Sequence, residues 1–208
     1  AISGSHSIDE LPQAFHKDTL SISEVEAALQ ELENQNIDLD DDLVASLQFA
    51  QGLGSQHSGN WDEAIHYFSN SLKFWTQQNL NDRQAVLKLH IGQCLIAKGK
   101  SEAQSKQTYL QESEGYLRQS LETFQIAQRL DLKAKYARYL GESFQLQERW
   151  EDLHQLTVEA IPLLQHYDLP VELAQFYGFQ GLIDLKIHGN CPDAIQKTEA
   201  ALSLIEQT

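Results

Sequence analysis

Two acid–histidine pairs stand out for the chemistry they could do. Glu63-x-x-His66 and Glu151-x-x-His154 each set a carboxylate and an imidazole three residues apart, which on a helix is one face. Di-iron bundles use that i, i+3 pairing twice, but they add two further inward glutamates in a four-helix core. A second acidic cluster, Asp38-Leu-Asp-Asp-Asp42, raises calcium binding. An EF-hand loop opening at Asp38 needs glycine at 43 and glutamate at 49, where the chain has Leu43 and Phe49. The stretch Ala97-Lys-Gly-Lys-Ser101 lacks the glycine spacing of a phosphate loop and follows a helical pattern instead of a strand. No Gly-x-Ser-x-Gly occurs, and Cys94 and Cys191 lie in no recognisable nucleophile signature. Both cysteines read as buried small apolar residues. The residues thus argue for no enzyme, no metal and no cofactor. Whether the two acid–histidine pairs meet depends on the elements that carry them.

From about Ser21 onward the apolar residues recur at helical spacing. Ser21-x-x-Glu24 is a capping box, and Val25, Ala28, Leu29 and Leu32 form one stripe behind it. Asp residues then precede Leu43 to Leu53, where they suit a helix N-terminus. Breaks follow at Gly59, 79–82, 98–100, 129–132, before Trp150, at 168–170 and at 188–192. No alternating strand pattern bounded by hairpin turns occurs. The spacing predicts eight helices in four hairpins after one extra N-terminal helix, with residues 1–20 a flexible segment.

The hairpins read as copies of one another. Gly52, Gly92, Gly141 and Gly181 each fall inside the first helix of a pair, at intervals of 40, 49 and 40 residues. After Gly59 comes Trp61-x-x-Ala64-x-x-x-Phe68-x-x-Ser71-Leu72. The third pair repeats the offset, with Gly141 preceding Trp150 as Gly52 precedes Trp61, and Ala160-Ile161 standing where Ser71-Leu72 stood. The second pair supplies Leu117-x-x-Ser120-Leu121, and the fourth Gly189, Ala194 and Ala201-Leu202. The second pair's nine extra residues fall between Gly99 and Leu117, where they are expected to lengthen its second helix.

At these residues the chain resembles the tetratricopeptide repeat (TPR) family, in a longer-period variant of about 40 residues. The Leu/Gln-rich style is similar to cyanobacterial members. The resemblance runs from about Leu43 to Glu206, with repeats at about 39–78, 79–130, 131–167 and 168–206 of one domain spanning 21–208. Gln51 and Gln180 replace the apolar residue before the glycine, Thr157 and Thr198 replace the aromatic, and the usual end-of-repeat proline is missing. The family implies an all-α right-handed superhelix, an α-solenoid of about four antiparallel helix-turn-helix repeats. In such a stack only neighbours touch, so His66 and His154, at nearly equivalent positions of different repeats, would not converge. Trp61 and Trp150 become packing plugs, and the acids beside them complement the helix dipole.

The resemblance implies a concave groove lined by first helices, which in this chain would include Phe49, Leu53, Leu89, Gln93, Arg138, Glu142 and Gln145. Only Arg138 is basic there, so the Lys/Asn/Arg clamp that some members use for a C-terminal carboxylate looks absent. An apolar or basic partner segment is expected.

Composition narrows the partner further. The net charge is −15, and Asp18 through Glu63 contribute −11 with no Lys or Arg between Lys17 and Lys73. Such a surface repels a polyanion, which argues against nucleic acid. Hydrophobic content of 41% and charged content of 22% fit a folded soluble chain, and no run of about 18 apolar residues exists to enter a membrane. Two widely separated cysteines suit a reducing, cytoplasmic compartment. The chain contains no methionine, even at its start, which reads as a piece of a longer protein. A non-enzymatic scaffold or adaptor for protein–protein interaction is the expectation. A peptide-gated sensor that regulates a partner is the alternative.

Overall fold

Five of the helices stop at one recurring turn. After Gln78, Ala127, Gln147 and Tyr167 the backbone enters the left-handed region at Asn79, Gln128, Glu148 and Asp168, with φ between 52° and 57°. Gly59 does the same with φ 78°. In each case the next residue's N–H donates back to a carbonyl five residues earlier, as from Arg149 to Phe144 at 2.9 Å. This is the Schellman closure, which satisfies carbonyls left over at the helix end. That next residue is already the N-cap of the following helix, so each connection is very short. None of the N-caps at Asn60, Ser105, Arg129, Arg149 and Leu169 makes a side-chain capping bond. Packing, more than capping, must hold these helices.

A computed structural model describes residues 41–189 and 191–206. They form helices α1 (Asp41–His57), α2 (Trp61–Gln77), α3 (Asn81–Ser101), α4 (Lys106–Ile126), α5 (Leu130–Leu146), α6 (Trp150–His166), α7 (Pro170–Ile183) and α8 (Cys191–Glu206). A one-turn π segment, Asp184–His188, closes α7 before Gly189. The fold is all-α, built of helical hairpins packed on their neighbours, and the described residues contain no strand. The N-terminal helix and flexible segment expected before residue 41 lie outside the described residues. The chain groups into two compact units, one ending at Lys98 and the other beginning at Gly99. A single domain spanning 21–208 was the reading from the sequence.

The first unit closes on aromatic rings. Phe68 is fully buried on α2, and a Cβ built on Gly52 of α1 would come within 2.5 Å of its ring. Only glycine lets the ring approach so near. Ser71 of the same helix donates to the Ala45 carbonyl at 2.7 Å, tying α2 to α1. Helix α3 is buried from Ala85 to Gly99 except at Lys88, Gln93 and Ala97, which are half-buried, as expected of a helix enclosed on most sides.

The second unit repeats the theme with different partners. Ser143 on α5 donates to the Leu110 carbonyl of α4 at 3.3 Å. Leu117, Ser120 and Phe124 of α4, Leu140 of α5 and Ala160 and Leu164 of α6 are buried with it. Gly181 of α7 admits α8 closely, since its Cβ would lie 3.1 Å from the Ala194 carbonyl. Ala201 of α8 is buried and Ala194 half-buried.

Two expectations for the second hairpin change. Helix α3 runs through 98–100, where a break was expected, and the turn falls at 102–105. The nine extra residues are therefore shared. Both α3 and α4 have 21 residues, against 17 in α1, α2, α5 and α6. The physical reason is Gly99: a Cβ there would lie only 3.2 Å from Leu110, so its absence lets Leu110 pack closely and α3 gains by continuing under α4.

A candidate partner-binding groove

The acid–histidine pair that opened the question is occupied with structural tasks. Asp62 pairs with the amine of Lys98, which is itself buried. Glu63 accepts from Ser55 at 3.0 Å, and His66 is exposed and bonds Asn70 at 3.1 Å. His154 is exposed on α6. Among the described residues no group of three His, Cys, Asp or Glu side chains comes together as a metal site. Cys94 is buried, and burial pushes its thiol up to about 12, which removes the reactive thiolate at neutral pH. Cys191, read as buried, is exposed at the first position of α8. It fills no core space because the buried part of α8 begins further on, at Ala201.

The groove residues of the first unit are mostly spent on packing. Phe49 is 4% exposed, with ring centroids 5.8 Å from Phe68 and 5.5 Å from His90. Leu89 is 2% exposed. The expectation that these two face a partner is corrected: both are buried, and Phe49 is drawn into the core by the aromatic closure over Gly52. Leu53 is half-buried. Gln93, also half-buried, accepts from Gln56 at 3.0 Å, and Gln56 in turn bonds His90 at 2.9 Å.

In the second unit the picture differs. Arg138, Glu142 and Gln145, with Tyr139, sit at i, i+4, i+7 and i+1 of α5, a single stripe. Gln175, Gly178, Phe179 and Leu182 of α7 repeat the spacing i, i+3, i+4, i+7 opposite them. The two stripes enclose a cavity of about 430 Å³. Its floor owes its shape to Gly141. A Cβ there would lie 2.6 Å from the Phe179 ring, so only glycine lets that ring settle against α5.

The charges in this groove are unevenly matched. Glu142 pairs with Lys100, which neutralises it. Arg138 donates to the Tyr139 hydroxyl at 2.8 Å and stacks 4.6 Å over that ring. Among the described residues it has no acidic partner, and its Nε–H is buried with no acceptor at all. The groove thus holds a guanidinium with donor capacity to spare.

A second cleft of about 440 Å³ adjoins the first and shares Gly178 and Leu182 with it. Leu185 of the π segment and Ile195 of α8 line its far side, 45% and 59% exposed. Tyr139, Gln175, Gly178, Phe179 and Leu182 were not foreseen. One signal was available. Thr157 holds the place of Phe68, sixteen residues after the hairpin glycine in both cases. That leaves the space over Gly141 to a ring from elsewhere, and Phe179 is the aromatic beside the next hairpin's glycine.

No protein-family model matches the chain, and no curated protein matches its sequence. Among solved structures, the chain is similar to the crystal structure of BtubC (BKLC) from P. vanneervenii. The TM-score is 0.67 and the identity 18%, over 97% of this chain and 87% of that one. At that identity the likeness bears on the fold, and it places this chain with another of the same architecture.

Proposed function

We propose that the protein is a non-enzymatic interaction module of tetratricopeptide-like build, acting in the cytoplasm as a scaffold or adaptor. It binds a segment of a partner protein in the groove between α5 and α7. The observation that carries this reading is the open cavity walled by Arg138, Glu142 and Gln145 on one helix and by Gln175, Phe179 and Leu182 on the other. Packed helices normally fill the space between them, so a cavity of this size between adjacent helices leaves room for a guest. Pre-formed walls reduce the ordering cost of binding. An amphipathic or extended segment is the guest such helix grooves take.

Gly178 offers a test that separates binding from folding. A Cβ there meets nothing within 4 Å, and the same holds for Gly115 on α4. Either glycine can take a side chain without a clash, and each substitution should favour its helix by roughly 0.5–1 kcal/mol. Gly178→Leu fills the groove, whereas Gly115→Ala lies outside it. Random octapeptides displayed on phage are enriched on the immobilised wild-type chain. The enriched sequences are then titrated against both variants by fluorescence anisotropy. At least a tenfold loss with Gly178→Leu and none with Gly115→Ala is expected. Equal binding to both variants would refute the groove.

A further inference from the structure

We propose that the segment seated in this groove carries a carboxylate side chain that pairs with Arg138, followed by apolar side chains that lie over Leu182 towards Leu185 and Ile195. This rests on the groove reading above and adds the chemistry of the guest. The argument begins with charge. Of the two ionised groups facing each other across one turn of α5, Glu142 is already neutralised by Lys100. Arg138 has only the neutral Tyr139 hydroxyl. Its Nε–H is buried without an acceptor, and a buried donor left unpaired is costly. That sealed Nε–H stays out of a guest's reach, and it is the terminal nitrogens, with no acidic partner among the described residues, whose fork matches the two oxygens of a carboxylate. The expectation of an apolar or basic guest, drawn from Arg138 being the only basic groove position, is kept here for its apolar part and replaced by an acid opposite Arg138.

The rest of the guest follows from the adjoining cleft. The two clefts adjoin at Gly178 and Leu182, and since Gly178 has no side chain a guest can pass from one to the other there. The far end of the second presents Leu185 and Ile195, both exposed aliphatic side chains. Covering them is favourable in proportion to the apolar area removed from water. A small carboxylate would satisfy Arg138 alone and leave that end bare. A peptide with an acid at one end and aliphatic residues after it satisfies both.

The experiment uses the full chain and the octapeptides enriched in the display selection. Each is synthesised with free termini blocked, and again with its acid replaced by the matching amide. The enriched sequences should share an Asp or Glu followed by aliphatic residues, and the acid-to-amide change should weaken binding at least tenfold. Arg138→Gln should cost the acidic peptide a similar factor and cost the amide peptide little. Arg138→Lys, which keeps the charge and lacks the planar fork of nitrogens, should fall between. Lys100→Ala leaves the guanidinium untouched but frees Glu142 to compete for it, so the acidic peptide should bind more weakly there too. Enriched peptides that are lost with Gly178→Leu yet lack an acid, or that bind equally as amides, would overturn this inference and leave the groove standing. Peptides indifferent to Gly178→Leu, or no enrichment at all, would overturn both.

Discussion

The first and third hairpins solve the same packing problem in opposite ways. Gly52 and Gly141 occupy equivalent positions, and each has an aromatic ring pressed against the place of its missing Cβ, at 2.5 and 2.6 Å. Over Gly52 the ring is Phe68, from the same hairpin and 0% exposed. Sixteen residues after Gly141 stands Thr157, too small to fill the space, its hydroxyl turned back to the Leu153 carbonyl at 2.7 Å. The ring over Gly141 is Phe179, borrowed from the next hairpin's first helix and only half-buried. Self-supplied closure uses up the groove face, as the burial of Phe49 shows. Borrowed closure leaves it open, because the lending helix must stand beside α5 with its own stripe facing across. A cavity survives where the packing is borrowed.

The largest effect that tests this contrast is truncation of the two rings. Phe68→Ala should destabilise the first unit by about 3–5 kcal/mol, the cost of deleting a fully buried aromatic. Phe179→Ala should cost about half as much, since a half-buried ring has less area to lose, while peptide binding in the groove weakens. Thermal and urea unfolding give both numbers. Equal losses would mean that Phe179 is as much a core residue as Phe68, and the contrast would fail.

Next in size are the glycines. Gly52→Ala drives a methyl into a ring that has nowhere to go and should cost about 1–3 kcal/mol. Gly141→Ala meets the edge of a half-buried ring that can swing outward. The gain in helix propensity, up to about 1 kcal/mol, should leave its stability nearly unchanged. The displaced Phe179 should nevertheless enter the groove and weaken binding. A Gly141→Ala variant as unstable as Gly52→Ala would show that the borrowed ring is fixed and the floor of the groove rigid.

This contrast also explains how much was legible in the sequence. The hairpins, their glycines and the fold class were readable because helical periodicity and small-residue offsets are local signals. So was half of the groove: Arg138, Glu142 and Gln145 were placed by their position in the repeat. The other half was not, because Phe179 acts through a substitution at Thr157, 22 residues away in sequence. Phe49 and Leu89 failed for the complementary reason. Repeat position assigns them to the groove face, but Phe68 and His90 draw Phe49 inward, and no local pattern records that pairing. The pairing of Glu142 with Lys100 also joins helices from different hairpins, and it leaves the groove with the positive charge of Arg138 in place of a balanced pair. Long-range pairs of this kind decided the chemistry of the site while leaving the fold untouched.

The smallest effect concerns the turns, which the two hairpins also build from different residues. Between α1 and α2 the left-handed position is Gly59, with φ 78°, and between α5 and α6 it is Glu148, with φ 55°. The hydrogen bonds across the two turns correspond, from Asn60 to Ser55 at 2.8 Å and from Arg149 to Phe144 at 2.9 Å. An L residue bears a cost of roughly 1–2 kcal/mol in that conformation, which glycine escapes. Glycine loses more chain entropy on folding, and this offsets part of the gain. Glu148→Gly should therefore raise unfolding stability by about 0.5 kcal/mol, and Gly59→Ala should lower it by about 1 kcal/mol. Opposite signs in urea unfolding would establish that the two turns are one motif. A loss from Glu148→Gly would mean that the Glu148 side chain contributes something its geometry does not reveal, and the hairpins would then differ at their turns as well as over their glycines.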